Sequence, residues 1–296
     1  MSRAILLLGG TLAAGPLLAA DAGPATLEEV MVTAQKRTES VMDVPIAITV
    51  FDPRAIEERS ARNLTDLGRF TAGVEMINTK SLQPTYTIRG VETNDWTIGS
   101  DPAVAVYVDG VYAARGAGAE AALIDLERVE ILKGPQGTLF GRNATGGAIH
   151  LLSAKPDLLQ SGRVKLSAGN YDRLDAELVY NQPIGDGLAF RVVAMSRQRD
   201  GYLENLSGPD LNDEDQWATR LGILWQASDR TEVLWRGEYS ELEQHSAAVH
   251  TLIGPVFEGA MPDRRYRPFG DVSTDLANRE EREMFSTSLE INHHLD

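Results

Sequence analysis

A glycine-rich stretch between two apolar runs is the feature of this sequence that most restricts its fold. The apolar runs cover residues 129–132 and 148–152. Five glycines lie between them: Gly134, Gly137, Gly141, Gly146 and Gly147. Glycine tolerates positive φ and allows a close approach of neighbouring backbone, because it has no Cβ. The pattern predicts two strands joined by a segment that turns repeatedly and packs closely.

The same glycines could belong to a phosphate-binding loop, but the flanking residues argue against this. A Walker loop ends in Gly-Lys-Ser or Gly-Lys-Thr, whereas residues 141–143 are Gly-Arg-Asn. A strand, not a helix, is expected to follow, so there is no helix N-terminus for an anion. A dinucleotide-binding loop fails for the same reason. A loop-rich structural domain remains open, since glycine alone indicates only an unusual backbone.

Composition narrows the class of protein. The 296 residues are 43% apolar and 24% charged, which is typical of globular proteins and allows two domains. A formal charge of −15 argues against nucleic acid as a partner, because nucleic-acid binding needs a basic face. Cysteine is absent, which excludes disulfides and thiolate metal sites. No catalytic arrangement of side chains stands out, so we predict no enzyme activity, no catalytic residues, no metal site and no cofactor.

The N-terminus has the pattern of a secretory signal peptide. Arg3 precedes an apolar run at residues 4–18, and small residues follow at Ala19, Ala20 and Ala22. Glycines and a proline interrupt the run, and it is too short for a spanning helix. We predict cleavage near Ala20 or Ala22. Any residence in a membrane would then have to be as a β-barrel.

Residues 41–90 are predicted to form a compact α+β unit, and a hairpin is expected after it. Asp52 stands before a proline and is expected to begin one helix, while Asn63 is expected to begin a second. Asp109, followed by a glycine, predicts a tight hairpin. These signals alternate with short apolar runs typical of strands.

From residue 163 onward, apolar and polar residues alternate. The apolar positions fall in six segments: Val164, Leu166 and Ala168; Leu174, Ala176, Leu178 and Tyr180; Leu188, Phe190, Val192 and Ala194; Leu221, Ile223, Trp225 and Ala227; Val233, Trp235 and Tyr239; Phe285, Leu289 and Ile291. Alternation predicts strands with one apolar face, in a transmembrane barrel or equally in a soluble sandwich. Short links at 183–187 and 228–231 alternate with long ones at about 201–216 and 241–283, which favours the barrel.

Three segments resemble the TonB-dependent outer-membrane receptors. DLERVEILKGPQGTLFGRNATGGAIHLLSAKP at 125–156 is similar to the end of their plug domain, and Ile-Arg-Gly at 88–90 to another plug motif. TLEEVMVTAQKR at 26–37 is similar to their TonB box. The resemblance implies the following division: signal peptide 1–22, box segment and linker 23–40, α+β plug domain 41–157, and antiparallel transmembrane β-barrel strands 158–296.

The segment near residue 30 has two interpretations from its residues alone. A solitary strand near a chain end could be bound by a partner through β-augmentation, or it could be the first strand of the plug. The resemblance favours the first interpretation, with the energy-coupling protein TonB as partner. The predicted TonB box is Leu27, Glu28, Glu29, Val30, Met31, Val32, Thr33 and Ala34.

The resemblance also implies roles for charged and glycine residues of the plug. It assigns a set that fixes the plug to the barrel wall: Arg89, Gly90, Glu130, Lys133, Gly134, Arg142, Gly146 and Gly147. Ion pairs without functional consequence are the alternative for the charged members. The predicted ligand platform on an outward loop is Asn94, Asp95 and Trp96. For Trp96 the alternative is packing against the barrel wall.

The function implied is TonB-dependent uptake of a scarce nutrient across the bacterial outer membrane. The predicted partners are the TonB complex, outer-membrane lipid and a small extracellular ligand. The ligand would be a ferric siderophore, or otherwise cobalamin, haem or a carbohydrate. Six strands cannot close around a plug, so we expect an incomplete barrel and a longer receptor. The alternatives are a binding or signalling plug module without transport, and a gene fragment without function.

Overall fold

The computed structural model describes residues 31–33, 39–77, 84–93, 101–113, 123–205, 209–245, 271–272 and 279–295. The predicted signal peptide and the predicted ligand platform at residues 94–96 lie outside these ranges, as does most of the predicted TonB box. Two large sheets make up most of the described structure, one in each half of the chain.

The first half, which we call the N-terminal unit, is built on a five-stranded sheet of order β3-β8-β9-β6-β7. Its strands are β1 Met31–Val32, β2 Glu39–Ser40, β3 Ala47–Phe51, β4 Val74–Ile77, β5 Thr85–Ile88, β6 Val104–Val108, β7 Val111–Tyr112, β8 Leu126–Lys133 and β9 Gly147–Ser153. Its helices are α1 Pro53–Glu58, α2 Leu64–Gly68 and α3 Gly137–Phe140. β6 and β9 pair in parallel, and the other pairs of this sheet are antiparallel. The unit is α+β, as predicted.

Local sequence signals set the ends of these elements. The Asp52 carboxylate caps α1 by accepting a hydrogen bond from the Ala55 amide, and the Asn63 side chain caps α2 through the Asp66 amide. Asp109 and the glycine after it have φ of 49° and 82°, which gives the predicted hairpin turn between β6 and β7. α3 was not predicted. It lies inside the glycine-rich stretch, where we expected only turns.

The core of the N-terminal unit lies between its sheet and its two longer helices. Its fully buried members are Leu64, Leu67, Ile88, Val129, Ile131, Ile149 and Leu151. Gly147 shows why the stretch needs glycine, because a Cβ there would lie 2.3 Å from the Leu132 carbonyl oxygen and φ is 155°. No helix in the part of the chain described is both long and apolar enough to cross a membrane.

The second half is an antiparallel sheet of six long strands in the order β10-β11-β12-β14-β15-β17. The bounds are β10 Ser161–Gly169, β11 Arg173–Ile184, β12 Leu188–Arg199, β14 Glu214–Ser228, β15 Thr231–His245 and β17 Arg279–His293. A small parallel pair, β13 Glu204–Asn205 and β16 Asp271–Val272, stands beside it. Within the described residues β10 and β17 do not pair with each other, so the sheet is an open barrel segment.

The strand registers place the predicted apolar positions on one face of this sheet, except Ala227, which falls in the irregularity between Gln226 and Ser228. That face is exposed: Leu166 is 72% accessible, Phe285 73% and Leu289 62%. The opposite, largely polar face lies against the N-terminal unit. A soluble sandwich would bury its apolar face against a second sheet, whereas a barrel in a membrane turns it outward. The barrel interpretation of the alternation is therefore confirmed.

Candidate functional site

The candidate site is the interface between the N-terminal unit and the polar face of the six-stranded sheet. Its apolar part is small. Ile124 packs with Val179, Val193, Met195 and Ala218, which are buried residues of β11, β12 and β14. So few apolar contacts leave polar and charged groups to determine how the two halves fit together.

Three arginines of adjacent strands, Arg191, Arg220 and Arg236, reach from the sheet to the N-terminal unit. We call them the arginine row. Arg191 donates two hydrogen bonds to the Asp125 carboxylate, Nε to Oδ2 at 2.6 Å and Nη2 to Oδ1 at 2.7 Å. This is the bidentate geometry in which guanidinium and carboxylate bind most strongly. The Asp125 side chain is only 6% exposed, so the pair is largely removed from water.

The other two members of the arginine row make different contacts. Arg220 donates to the Ile124 carbonyl oxygen at 2.8 Å and to Glu238 on the next strand at 2.7 Å. Arg236 lies 3.7 Å from the Asp109 carboxylate. All three arginines are thus matched by a carboxylate, as buried charges require.

Tight turns present the two aspartates to the arginine row. Asp109 and Asp125 both have positive φ, 49° and 48°, in a conformation that aspartate tolerates better than most residues. Asp109 is also fixed from behind, because its Oδ1 accepts a hydrogen bond from the Ser153 amide at 2.8 Å. The same carboxylate therefore connects β9 to the sheet.

A close backbone approach accompanies the arginine row. Gly222 on β14 is in register with Arg191 on one side and Arg236 on the other. A Cβ at Gly222 would lie 3.1 Å from a ring carbon of Pro156. Glycine at this position therefore gives Pro156, in the connection between β9 and β10, room against the sheet.

A second group of contacts lies toward the other end of the strands. Arg62, just before α2, approaches Asp175 at 3.1 Å and Glu214 at 3.5 Å, and its carbonyl oxygen accepts a hydrogen bond from Arg197 at 3.1 Å. On the exposed edge Lys165 binds Glu57 at 2.8 Å, and this hydrogen bond lowers the pKa of the Glu57 carboxyl. The N-terminal unit is therefore held at both ends of the strands.

The role of Glu130, Lys133 and Arg142 in fixing the plug to the barrel wall stays a prediction, since none of their described contacts reaches the six-stranded sheet. Their partners in the described structure lie within the N-terminal unit, not on the sheet. Lys133 donates to the Ala72 carbonyl oxygen, and burial, with a smaller effect of Arg89, lowers the pKa of its ammonium group. Arg142 is exposed and lies 3.8 Å from Asp101. Glu130 is fully buried and binds Arg128 at 2.7 Å.

The other residues predicted to fix the plug make their described contacts within the N-terminal unit. Arg89 and Gly90 form a turn with φ of 54° and 77° after β5. Gly134 lies near the Arg89 side chain, and Gly146 and Gly147 pack against backbone oxygens of Val91 and Leu132. The residues that do face the sheet, Asp109 and Asp125, could have been found as acidic residues at turns. The arginine row was visible only as polar positions on strands.

The described part of the predicted TonB box is docked on the N-terminal unit. Met31 and Val32 pair antiparallel with β2, and Val32 is fully buried in a cluster with Val44, Leu132 and Ala148. The Thr33 amide donates a 2.9 Å hydrogen bond to Glu130. Residues 31–33 are therefore docked in this structure, and the TonB box at residues 27–34 stays a prediction.

Described acidic residues next to the long connections are paired with basic side chains. In the described ranges no three His, Asp or Glu side chains are grouped so that they could hold a metal ion. Asp213 instead binds His245 at 2.7 Å, and Glu214 binds Arg173 at 2.6 Å.

Comparison with known proteins identifies this arrangement. The family model of the TonB-dependent receptor plug domain matches residues 40–148. The pesticin receptor of Yersinia pestis is 31% identical over 216 residues, covering 71% of this chain and 31% of the relative. The ferrioxamine B receptor of Salmonella typhimurium is 27% identical, covering 78% and 33%. The chain thus spans about a third of the length of these relatives.

Solved structures agree with the sequence comparison. The ferric yersiniabactin uptake receptor of Yersinia pestis superposes with a TM-score of 0.63 at 26% identity, covering 68% of this chain and 32% of that one. A pyoverdine-bound receptor of Pseudomonas aeruginosa, at 19% identity, shares the fold over 90% of this chain and 34% of its own, with a TM-score of 0.69. Residues 40–148 are therefore a TonB-dependent receptor plug domain, and this chain corresponds to the N-terminal portion of a TonB-dependent receptor.

Proposed function

We propose that this chain is the plug-bearing part of an outer-membrane receptor that imports a ferric siderophore with energy delivered through TonB. The observation that carries the proposal is the orientation of the six-stranded sheet. Its apolar face is turned outward and exposed, as contact with lipid would require, and its polar face binds the plug domain. The names of several relatives support the substrate class, since they include receptors for ferrioxamine and for ferripyoverdine.

The contacts of the plug domain are suited to holding it in place until a partner pulls on it. The interface relies on separate ion pairs, of which Arg191–Asp125 and Arg236–Asp109 are two. When the plug shifts and a pair separates, water can solvate both charged groups in place of the lost partner. A partner that pulled on the N-terminal segment would have to break these pairs in turn.

The docked strand β1 is the expected point of attachment for that partner. Its backbone edge pairs with β2 over only two residues. TonB would replace this short pairing with a longer one by β-augmentation. In this proposal the iron chelate is cargo and not a cofactor, and transport involves no covalent chemistry by the chain.

Deletion of residues 26–34 tests the proposal in the receptor as the cell makes it. We expect iron-starved cells carrying the deletion to lose TonB-dependent uptake of a radiolabelled ferric siderophore. Binding of the same chelate to the cell surface should persist, because the deleted residues belong to the partner's attachment point. An antibody against residues 125–156 should detect the protein in the outer-membrane fraction of both strains. Full uptake by the deletion strain would contradict the TonB box. Binding without uptake in the parent strain would favour the alternative of a binding module.

A further inference from the structure

The polar contacts between the plug domain and the sheet differ from one side of the sheet to the other. On the side formed by β10, β11, β12 and β14, which we call the β10–β14 side, several are hydrogen bonds. Lys165 binds Glu57 at 2.8 Å, and Arg191 binds Asp125 at 2.6 and 2.7 Å. The buried apolar contacts of Ile124 lie on the same side. The plug domain is therefore closely joined to these four strands.

On β15 and β17 the corresponding separations are longer. Arg236 lies 3.7 Å from Asp109, and the Lys155 ammonium group lies 3.7 Å from Glu232 and 3.6 Å from Glu290. A hydrogen bond between nitrogen and oxygen is roughly 2.7–3.2 Å long. Among the described residues, no polar contact of the plug domain with β15 or β17 falls in that range. These charges attract one another without a fixed geometry, so they separate more easily than a bidentate pair does.

A cavity of about 220 Å³ accompanies the longer separations. The hairpin of β6 and β7 forms one wall, with Asp109, Val111 and Tyr112 among its residues, and side chains of β14, β15 and β17 form the other. Arg220 also lines the cavity, and its buried Nη2 atom has no hydrogen-bond partner in the described structure. A polar cavity of this size has room for several water molecules. It is too small for a ligand of ordinary size, because small-molecule sites have about 300–1,000 Å³.

The plug strand that faces this cavity has few contacts of its own. β7 is an edge strand of the five-stranded sheet and pairs only with β6, over two residues. Val111 on this strand is 57% exposed. By contrast, β8 and β9 lie inside the plug sheet, and Asp125 before β8 and Pro156 after β9 are in close contact with β12 and β14. Elements with few buried contacts open locally at low cost.

We infer that the plug domain opens toward β15 and β17 while it stays attached to the β10–β14 side. The β7 edge moves away from these two strands, and water enters a gap that the cavity already provides. The imported molecule then passes between β7 and the wall formed by β15 and β17. The inference rests on the proposed function, to which it adds the side of the plug domain on which the passage forms.

Two pairs of cysteines test the direction of opening, because the chain has no cysteine of its own. Val111→Cys with Ser286→Cys spans the cavity, whereas Glu57→Cys with Lys165→Cys replaces an exposed ion pair on the β10–β14 side. Each pair is joined in iron-starved cells by a short, reducible bis-methanethiosulfonate. The uptake probe is radioactive iron added to the spent medium of the same cells, which contains the chelators that they secrete.

Joining residues 111 and 286 should lower the rate of iron uptake at least about 10-fold, because the passage can no longer form. A reducing agent should restore the rate. Joining residues 57 and 165 should leave the rate unchanged, as should treatment of each single cysteine variant with the same reagent. Equal effects of the two cross-links, or uptake that continues after residues 111 and 286 are joined, would overturn the inference.

Thiol labelling of the purified receptor in detergent answers the same question without transport. Ser240→Cys on β15 and Val193→Cys on β12 place thiols on the face that lies against the plug domain, at positions only 3% and 1% exposed. Local opening determines how fast a buried thiol reacts, so Ser240→Cys should react with a maleimide at least about 10-fold faster than Val193→Cys. Both changes insert a side chain of similar size, which preserves the packing. Equal rates, or a faster reaction at position 193, contradict opening toward β15 and β17.

Failure of the proposed function is distinguishable from failure of this inference. If iron uptake by the receptor survives deletion of residues 26–34, the proposed function fails, and the thiol rates still decide on which side the plug domain opens. If uptake depends on those residues but the cross-links and the thiol rates do not distinguish the two sides, the inference fails and the proposed function stands.

Discussion

Asp125 joins the plug domain to the sheet more strongly than any single residue in the glycine-rich stretch that follows it. Its carboxylate is nearly buried and accepts two hydrogen bonds from the Arg191 guanidinium. The residue itself has a left-handed backbone conformation directly before β8. A carboxylate in this position cannot be exchanged for another side chain without leaving Arg191 buried and uncompensated. Breaking such a pair costs more than the pair itself contributes.

We predict that Asp125→Asn lowers the free energy of unfolding by roughly 3 kcal/mol. Asparagine keeps the shape and tolerates the positive φ, so the loss reports the missing charge. Urea unfolding followed by circular dichroism measures it. Glu57→Gln is the matched control, because it neutralises one partner of an exposed pair with Lys165. Such pairs contribute little. Equal midpoints for the two variants would show that the Arg191 pair does not hold the plug domain.

Sequence patterns predicted the local features of these residues but not their partners. The caps at Asp52 and Asn63 and the turn at Asp109 depend on neighbours within three positions, and all were found. The pair of Asp125 with Arg191 joins residues 66 apart, and nothing in either neighbourhood specifies the other. For Glu130 the sequence likewise showed the charge but not its partners inside the plug domain, Thr33 and Arg128.

Strand β1 must detach from the plug domain to perform its proposed function. It is held by two backbone-paired residues, by the buried Val32 and by the hydrogen bonds of Thr33 to Glu130. Elements with so few contacts open locally at low cost. The sequence indicated the strand and left its place open, because a short extended segment suits either the plug domain or a partner equally well.

Because the chain contains no cysteine, a single introduced thiol can report whether β1 is docked. Val32→Cys should react with a maleimide at least about 10-fold more slowly than Met42→Cys, since Val32 is fully buried and Met42 is 87% exposed. Adding Glu130→Gln should speed the reaction at position 32 by weakening the hydrogen bond to Thr33, and should leave position 42 unchanged. Similar rates at both positions without the Glu130 change would contradict the docked strand.

In and around the glycine-rich stretch, the strands could be predicted from the sequence but the short helix could not. Its two strands, β8 and β9, were predicted, and Gly147 meets the close approach that glycine was expected to allow. α3 was missed because four residues with a glycine at the first position have no helical periodicity to detect. Its end at Gly141, with φ of 74°, is the only helical signal in the segment, and it served equally well as a turn.

At the scale of the whole molecule, the two faces of the six-stranded sheet have different surroundings. On β14, Trp217 and Trp225 both stand on the apolar face, eight positions apart, which is roughly 26 Å along a strand. Outer-membrane barrels have an apolar band of about 25 Å flanked by aromatic residues. Leu221 lies midway between the two tryptophans and should therefore sit near the centre of the bilayer. Alternation predicted this face, but only the exposure of its side chains distinguishes lipid contact from a buried core.

We therefore predict that Leu221→Arg destabilises the protein folded in lipid vesicles by about 2–4 kcal/mol, the cost of an arginine at the bilayer centre. Leu295→Arg is the control, because Leu295 is 86% exposed and lies beyond the end of β17. On a soluble protein both changes, made at accessible positions, would alter stability by no more than about 0.5 kcal/mol. Urea titration followed by tryptophan emission measures the stability of both variants. Trp217, Trp225 and Trp235 share the outward face, so their emission should shift to the red when they leave lipid. If Leu221→Arg unfolds at the same urea concentration as Leu295→Arg, the apolar face does not contact lipid, and the orientation on which the transport proposal depends is wrong.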